Sequence, residues 1–163
     1  MQKERTLFSL FLSNLIFTVL QPGIVAGLLP MLLVRNLLND TFTPHFGFHH
    51  YAGTTVSLAG LVVMLVCIVS FAVKGRGTLS PLDPARRLIV SGLYQYSRNP
   101  MYVGVMLILW GEAIFFRSAS LWIYSCIIFG AFNAFIIFYE EPRLSKDFGV
   151  QYGDYQRRVR RWL

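Results

Sequence analysis

Residues 100–138 read PMYVGVMLILWGEAIFFRSASLWIYSCIIFGAFNAFIIF, and the reading of this stretch decides the fold. Two apolar runs, 100–116 and 119–138, are separated only by Arg117 and Ser118. So short a joint makes the pair an antiparallel helical hairpin. Each run approaches the roughly 20 residues that a helix needs to cross a hydrocarbon core of about 30 Å. Working outward, residues 52–73 form another clean span, and residues 7–34 carry no charge at all. The latter are long for one crossing. Gln21-Pro22-Gly23 and Pro30 should kink or tilt them into one broken helix, because neither half alone would cross.

The rest of the composition agrees with this frame. Of 163 residues, 55% are apolar, 15% aromatic and 14% charged, against about 25% charged in an ordinary soluble domain. Fifteen Lys and Arg against eight Asp and Glu give a net charge of +7. The apolar residues come in long blocks, which excludes disorder and a basic nucleic-acid module; such a module would mix its cations into a folded polar surface. The expectation is a single all-α membrane domain over residues 1–163. It would be a multi-pass transmembrane helical bundle of about four spans, with a C-terminal interfacial amphipathic helix.

Cation placement sets the orientation. Lys3 and Arg5, five cations within residues 74–99, and six within the tail share one side if there are four spans. Arg35 and Arg117 lie on the other. The positive-inside rule then predicts cytoplasmic termini and a cytoplasmic loop 74–99, in a membrane such as a bacterial inner membrane. The N-terminal run lacks a small-residue cleavage site and continues too far for a signal peptide, so it reads as a retained anchor. Cys67 and Cys126 fall inside spans and read as small buried apolar residues.

Polar chemistry collects on the cytoplasmic side. Lys74 to Pro84 is punctuated by Gly75, Gly77, Pro81 and Pro84 and reads as a structured loop. Gly75-x-Gly77 has no preceding strand and no third glycine, so it is no dinucleotide fingerprint. Farther on, Tyr94-Gln95-Tyr96-Ser97-Arg98-Asn99-Pro100-Met101-Tyr102 places Asn99 and Pro100 at N-cap and first-turn positions. The helix start offers unpaired N–H groups, Arg98 a fixed cation and three tyrosines aromatic faces. Together they suit a ligand with a carboxylate and a cationic or planar part; an aromatic belt with a snorkelling arginine is the plainer alternative.

Span four ends in Glu140-Glu141-Pro142. Two carboxylates there oppose the helix dipole, where Lys or Arg would be favoured. They could bind ammonium and hydroxyl groups. Asn133, seven residues before Glu140, shares its face in a regular α-helix. The tail residues Leu144, Phe148, Tyr152, Tyr155, Val159 and Trp162 make an apolar stripe flanked by Arg157, Arg158, Arg160 and Arg161. This predicts a basic amphipathic helix at the interface, or a lid that Gly149 and Gly153 let move. His45, His49 and His50 lack the partners of a metal site, and no metal is expected. Glu112 is read as snorkelling toward Arg117 and is left out of the site.

Residues 92–104, with Glu140-Glu141-Pro142, Phe148-Gly149 and Tyr152-x-x-Tyr155, are similar to a known signature. It is that of the isoprenylcysteine carboxyl methyltransferase and phospholipid N-methyltransferase family of integral membrane methyltransferases. The resemblance covers residues 75–162, the cofactor-binding half. It implies an S-adenosylmethionine-dependent methyltransferase acting on a lipophilic or lipid-modified acceptor at the cytoplasmic interface. It further implies that Tyr94, Asn99, Pro100, Tyr102, Gly104, Glu140 and Glu141 bind the cofactor, and that Arg98 and Glu141 serve catalysis. Many members carry His where this chain has Asn99, which fits a cofactor-orienting hydrogen bond better than base catalysis. A noncatalytic lipid-binding or assembly protein on the same scaffold is the competing reading. A transporter is a third, disfavoured because Glu112 and Asn133 are too few for an ion path.

Overall fold

The computed structural model describes residues 22–40, 47–70 and 88–163, and every regular element among them is helical. Helix α1 spans Leu29–Asp40, α2 Phe48–Ser70, α3 Pro100–Phe116 and α4 Ala119–Phe135. Two short helices close the chain, α5 Glu141–Phe148 and α6 Val150–Arg158. A 3-10 turn, Gly92–Gln95, precedes α3. The N-terminal part of the first expected span and the glycine- and proline-rich loop Lys74 to Pro84 lie outside the described residues, as does His45.

α3 begins and ends where the sequence predicts. Pro100 occupies the first turn, where its missing N–H is not needed. Arg117 ends the helix in the left-handed region at φ 49°. Ser118 then returns to extended backbone and α4 runs back beside α3.

The dominant packing is α2 against α3, and small residues permit it. A Cβ built on Gly53 would meet the Gly111 carbonyl oxygen at 2.6 Å, and one on Gly60 would meet that of Gly104 at 2.6 Å. Two such pairs, seven residues apart on each helix, hold the antiparallel backbones in direct contact. Val105, Met106 and Leu109 of α3 are buried against Met64 of α2 and Tyr124, Ile128 and Phe132 of α4. Val34, Ala113 and Leu121 bring α1 onto the other end of the hairpin.

The same wide turn occurs twice. Ile24–Leu28 and Ile136–Glu140 are π-helical, and in each case a proline follows one residue later, Pro30 or Pro142. Proline cannot donate to the carbonyl four residues back and its ring crowds that carbonyl. The residue before it reaches back five instead: Leu29 N–H to the Ile24 carbonyl, and Glu141 N–H to that of Ile136. At the first turn Ala26 leaves helical geometry, and the Tyr124 hydroxyl donates to the Val25 carbonyl at 2.8 Å. The kink expected around Pro22 and Pro30 therefore sits at Ala26.

At the second turn the helix does not stop at 138 as expected but continues to Phe148. One extra residue in the turn rotates everything after it by about 100°. Asn133 consequently comes into line with Glu141 rather than Glu140.

The tail is the largest correction. It is not one amphipathic helix over the stripe from Leu144 to Trp162. Gly149, at φ 51° and ψ −123°, makes a corner between α5 and α6, and Val159 is extended. Tyr152 and Tyr155 are buried, while Val150 is exposed.

Phe48–Ser70 and Ala119–Phe148 are long and apolar enough to cross a membrane, and Ile24–Arg35 and Pro100–Phe116 are shorter apolar helices. Only 17% of the most apolar window of either long helix is buried, which separates them from the core helices of a soluble protein. Cys67 is buried, whereas Cys126 faces outward, contrary to expectation.

Candidate active site

The N-terminus of α3 and the C-terminal extension of α4 meet because the hairpin is antiparallel. The Tyr102 hydroxyl donates to Glu140 Oε2 at 3.0 Å, joining the two signature segments directly. Tyr102 also packs on Phe132, with ring centroids 4.7 Å apart. Arg98 Nη1 lies 3.0 Å from Glu141 Oε1, and both side chains are largely buried, at 12% and 15% exposed. That contact pairs charges without the alignment of a hydrogen bond, and the buried Arg98 Nε has no hydrogen-bond partner among the described residues.

The tail completes the cluster. Arg161 grips Glu141 with both arms, Nε to Oε1 at 2.8 Å and Nη2 to Oε2 at 2.9 Å. This fork geometry is among the stronger ion pairs, and the hydrogen bonding pushes the Arg161 guanidinium further up from its ordinary value. The Arg98 N–H donates to the Arg160 carbonyl at 2.9 Å. The Asn99 amide donates to the Arg161 carbonyl at 3.0 Å, where the Ser97 hydroxyl also reaches at 3.3 Å. Trp162 donates its indole N–H to Asn133 Oδ1 at 3.1 Å and lies over Phe129.

Asn99 thus holds the N-cap position without capping: its side chain makes no bond to the helix it precedes. Its amide is spent on the tail. Tyr94 is buried among Cys67 and Ile89, and its carbonyl accepts from the Tyr155 hydroxyl at 2.7 Å. Burial pushes the Tyr94 and Tyr152 hydroxyls up and that of Tyr155 to about 12, so all three remain protonated donors at neutral pH. Tyr152 stands beside Arg98.

Arg98, Asn99, Pro100, Tyr102, Glu140 and Glu141 converge in this way, with Tyr94 one layer behind. Gly104 is not brought to the cluster: it is buried against Gly60 between α2 and α3. Arg161, which the sequence places only among the four arginines flanking the tail's apolar stripe, is a member of the cluster that sequence reasoning does not assign. Glu112 departs from expectation as well. Its Oε2 is buried without a hydrogen-bond partner, and no ion pair joins it to Arg117 among the described residues.

With this geometry in place, residues 48–151 match the phospholipid methyltransferase family model. The chain belongs to the phospholipid methyltransferase family. The matched stretch runs from α2 into α6, so it contains the helix pair, the hairpin and both signature segments, while Arg161 lies beyond it. Membership makes the chain one of a group of membrane methyltransferases. An uncharacterized protein of Haemophilus influenzae is 35% identical over 63 residues, which cover 39% of this chain and 100% of that relative. No solved structure matches.

Proposed function

We propose that this family member is an S-adenosylmethionine-dependent methyltransferase of a bacterial inner membrane, with four spans and cytoplasmic termini. It methylates a lipophilic acceptor at the cytoplasmic interface. The observation that carries the reading is Arg98, a buried guanidinium with an unpartnered Nε beside two adjacent carboxylates. An amino-acid moiety needs such groups: a cation for its carboxylate and a carboxylate oxygen for its ammonium. The residues present therefore fit S-adenosylmethionine.

When bound, that cofactor supplies an electrophilic methyl group carried on a sulfonium. Arg98 would hold its carboxylate and Glu140 its ammonium, with Asn99, Pro100 and Tyr102 beside them and Tyr94 one layer behind. Glu141 is a positioning residue, since both of its oxygens already hold Arg161. The chain contributes alignment and the exclusion of water, the two factors that an in-line displacement most needs. The apolar hairpin shields one side, and Tyr152 and Trp162 shield the other.

A carboxylate acceptor requires no base. An amine or thiol acceptor gives up a proton, for which Glu140 is the local carboxylate. The family description favours a phospholipid amine over an isoprenylcysteine carboxylate or a lipophilic thiol.

Calorimetry of detergent-purified protein with S-adenosylmethionine and its demethylated product tests the cofactor. Saturable binding is expected, weakened about tenfold or more by Arg98→Ala and by Glu140→Ala. Absence of saturable binding, or indifference to both substitutions, overturns the proposal. A noncatalytic lipid-binding or assembly role is the second reading, favoured by Arg161 taking both oxygens of Glu141, and that result would support it. Labelled cofactor added to membranes, with the product identified by mass, names the acceptor.

A further inference from the structure

A second polar feature lies far from the cluster, on the groove between α2 and α3. Glu112 is twelve residues beyond Pro100, about 18 Å along the helix. It lines a cavity of about 330 Å³ with Ile108 and Phe115 of α3 and Thr54, Ser57 and Leu58 of α2. That volume falls at the lower end of the range for small-molecule pockets, about 300–1,000 Å³. The Ser57 hydroxyl is directed to the Ile108 carbonyl at 3.4 Å. Glu112 Oε2 receives nothing from any described residue.

A carboxylate oxygen buried without a donor is costly, and an intramembrane carboxylate that persists marks a ligand or ion pathway by default. Gly53 against Gly111 and Gly60 against Gly104 hold the two helices in contact, and the trough lies between larger side chains of the same pair. Its walls are hydrocarbon apart from Thr54 and Ser57, and its one ionisable group is the Glu112 carboxyl. A cationic donor answers that group best, because charge-assisted hydrogen bonds are about twice as strong as neutral ones.

We propose that this groove binds a long-chain amine, its ammonium on Glu112 Oε2 and its alkyl chain along Leu58 and Ile108. The inference needs the membrane placement of α2 and α3 but not methyl transfer, so either can fail without the other.

The test uses the full chain in lipid nanodiscs and an alkylamine carrying a photoreactive diazirine on its chain. Peptide mass spectrometry should map the label to residues 54–61 and 108–116. Decylamine should compete, and decanoate at the same concentration should not. Glu112→Gln, nearly isosteric, should lower labelling about tenfold or more, and Glu112→Asp should retain part of it. Leu58→Trp, which fills the trough and leaves the Glu112 carboxylate in the chain, should block labelling as well and covers the case in which Glu112→Gln does not fold. Equal competition by decanoate or decanol, or labelling unchanged in Glu112→Gln and Leu58→Trp, would show that the trough takes ordinary lipid chains and would overturn the proposal.

Discussion

Glu141 receives Arg98 and Arg161 on one carboxylate, and the three side chains differ in how far water reaches them. Arg98 is 12% exposed and Arg161 33%. Glu141→Ala strands a buried guanidinium, so it should destabilise the protein by about 2–3 kcal/mol. Arg161→Ala removes a better-solvated partner and should cost about 1 kcal/mol. Thermal unfolding in detergent measures both. Hydrogen exchange adds a second reading, because either variant should release residues 159–163 while leaving α3 and α4 protected. The residues that meet here were unequally legible in the chain. Arg98, Asn99, Glu140 and Glu141 stand out locally, as a helix start and as two misplaced acids at a helix end. Arg161 was hidden among five neighbouring basic residues of the tail, and its partner depends on a corner twelve residues earlier that no local pattern announces.

At the scale of elements, proline placement and glycine contact decide most of the geometry. Pro30 and Pro142 read as kinks or stops, yet both helices pass through them by reaching back five residues. Sequence rules identify the missing N–H but not whether the chain breaks or widens, since tertiary contacts such as Tyr124 on the Val25 carbonyl decide that. The hairpin was legible almost to the residue, because Asn99-Pro100 and Arg117-Ser118 are local signals. Gly60→Val would press a side chain into the Gly104 backbone, and separating α2 from α3 should cost about 3 kcal/mol, read as a lowered unfolding midpoint. Gly149→Ala should cost about 1–3 kcal/mol, because its backbone lies where only glycine is at ease. Its loss should also loosen α6 more than α4, which exchange rates on the two helices would reveal.

Taken whole, the molecule wears its hydrocarbon outside. Val62, Ile123 and Phe138 are 59%, 62% and 80% exposed, on helices whose most apolar windows are only 17% buried. A lipid surround is the solvent that such a surface suits. The proposed four-span arrangement makes a direct prediction. In a background with Cys67 and Cys126 replaced, a single cysteine at Ser120, which is exposed at the hairpin turn, should react with a membrane-impermeant maleimide on sealed cells. One at Leu163 should react only after permeabilisation, and the opposite pattern would invert the topology. The bonds from Ser97, Arg98 and Asn99 to the Arg160 and Arg161 carbonyls carry a consequence for biosynthesis. Asn99 and Arg161 are 62 residues apart in the chain. At ordinary translation rates that interval lasts roughly 3–12 s. Over that interval the hairpin itself is being made and the cluster stays open, its arginine and asparagine awaiting partners the ribosome has yet to make. A released chain truncated before residue 160 would keep every long apolar helix and still be incomplete at the site, so membrane insertion and competence are separable in this protein.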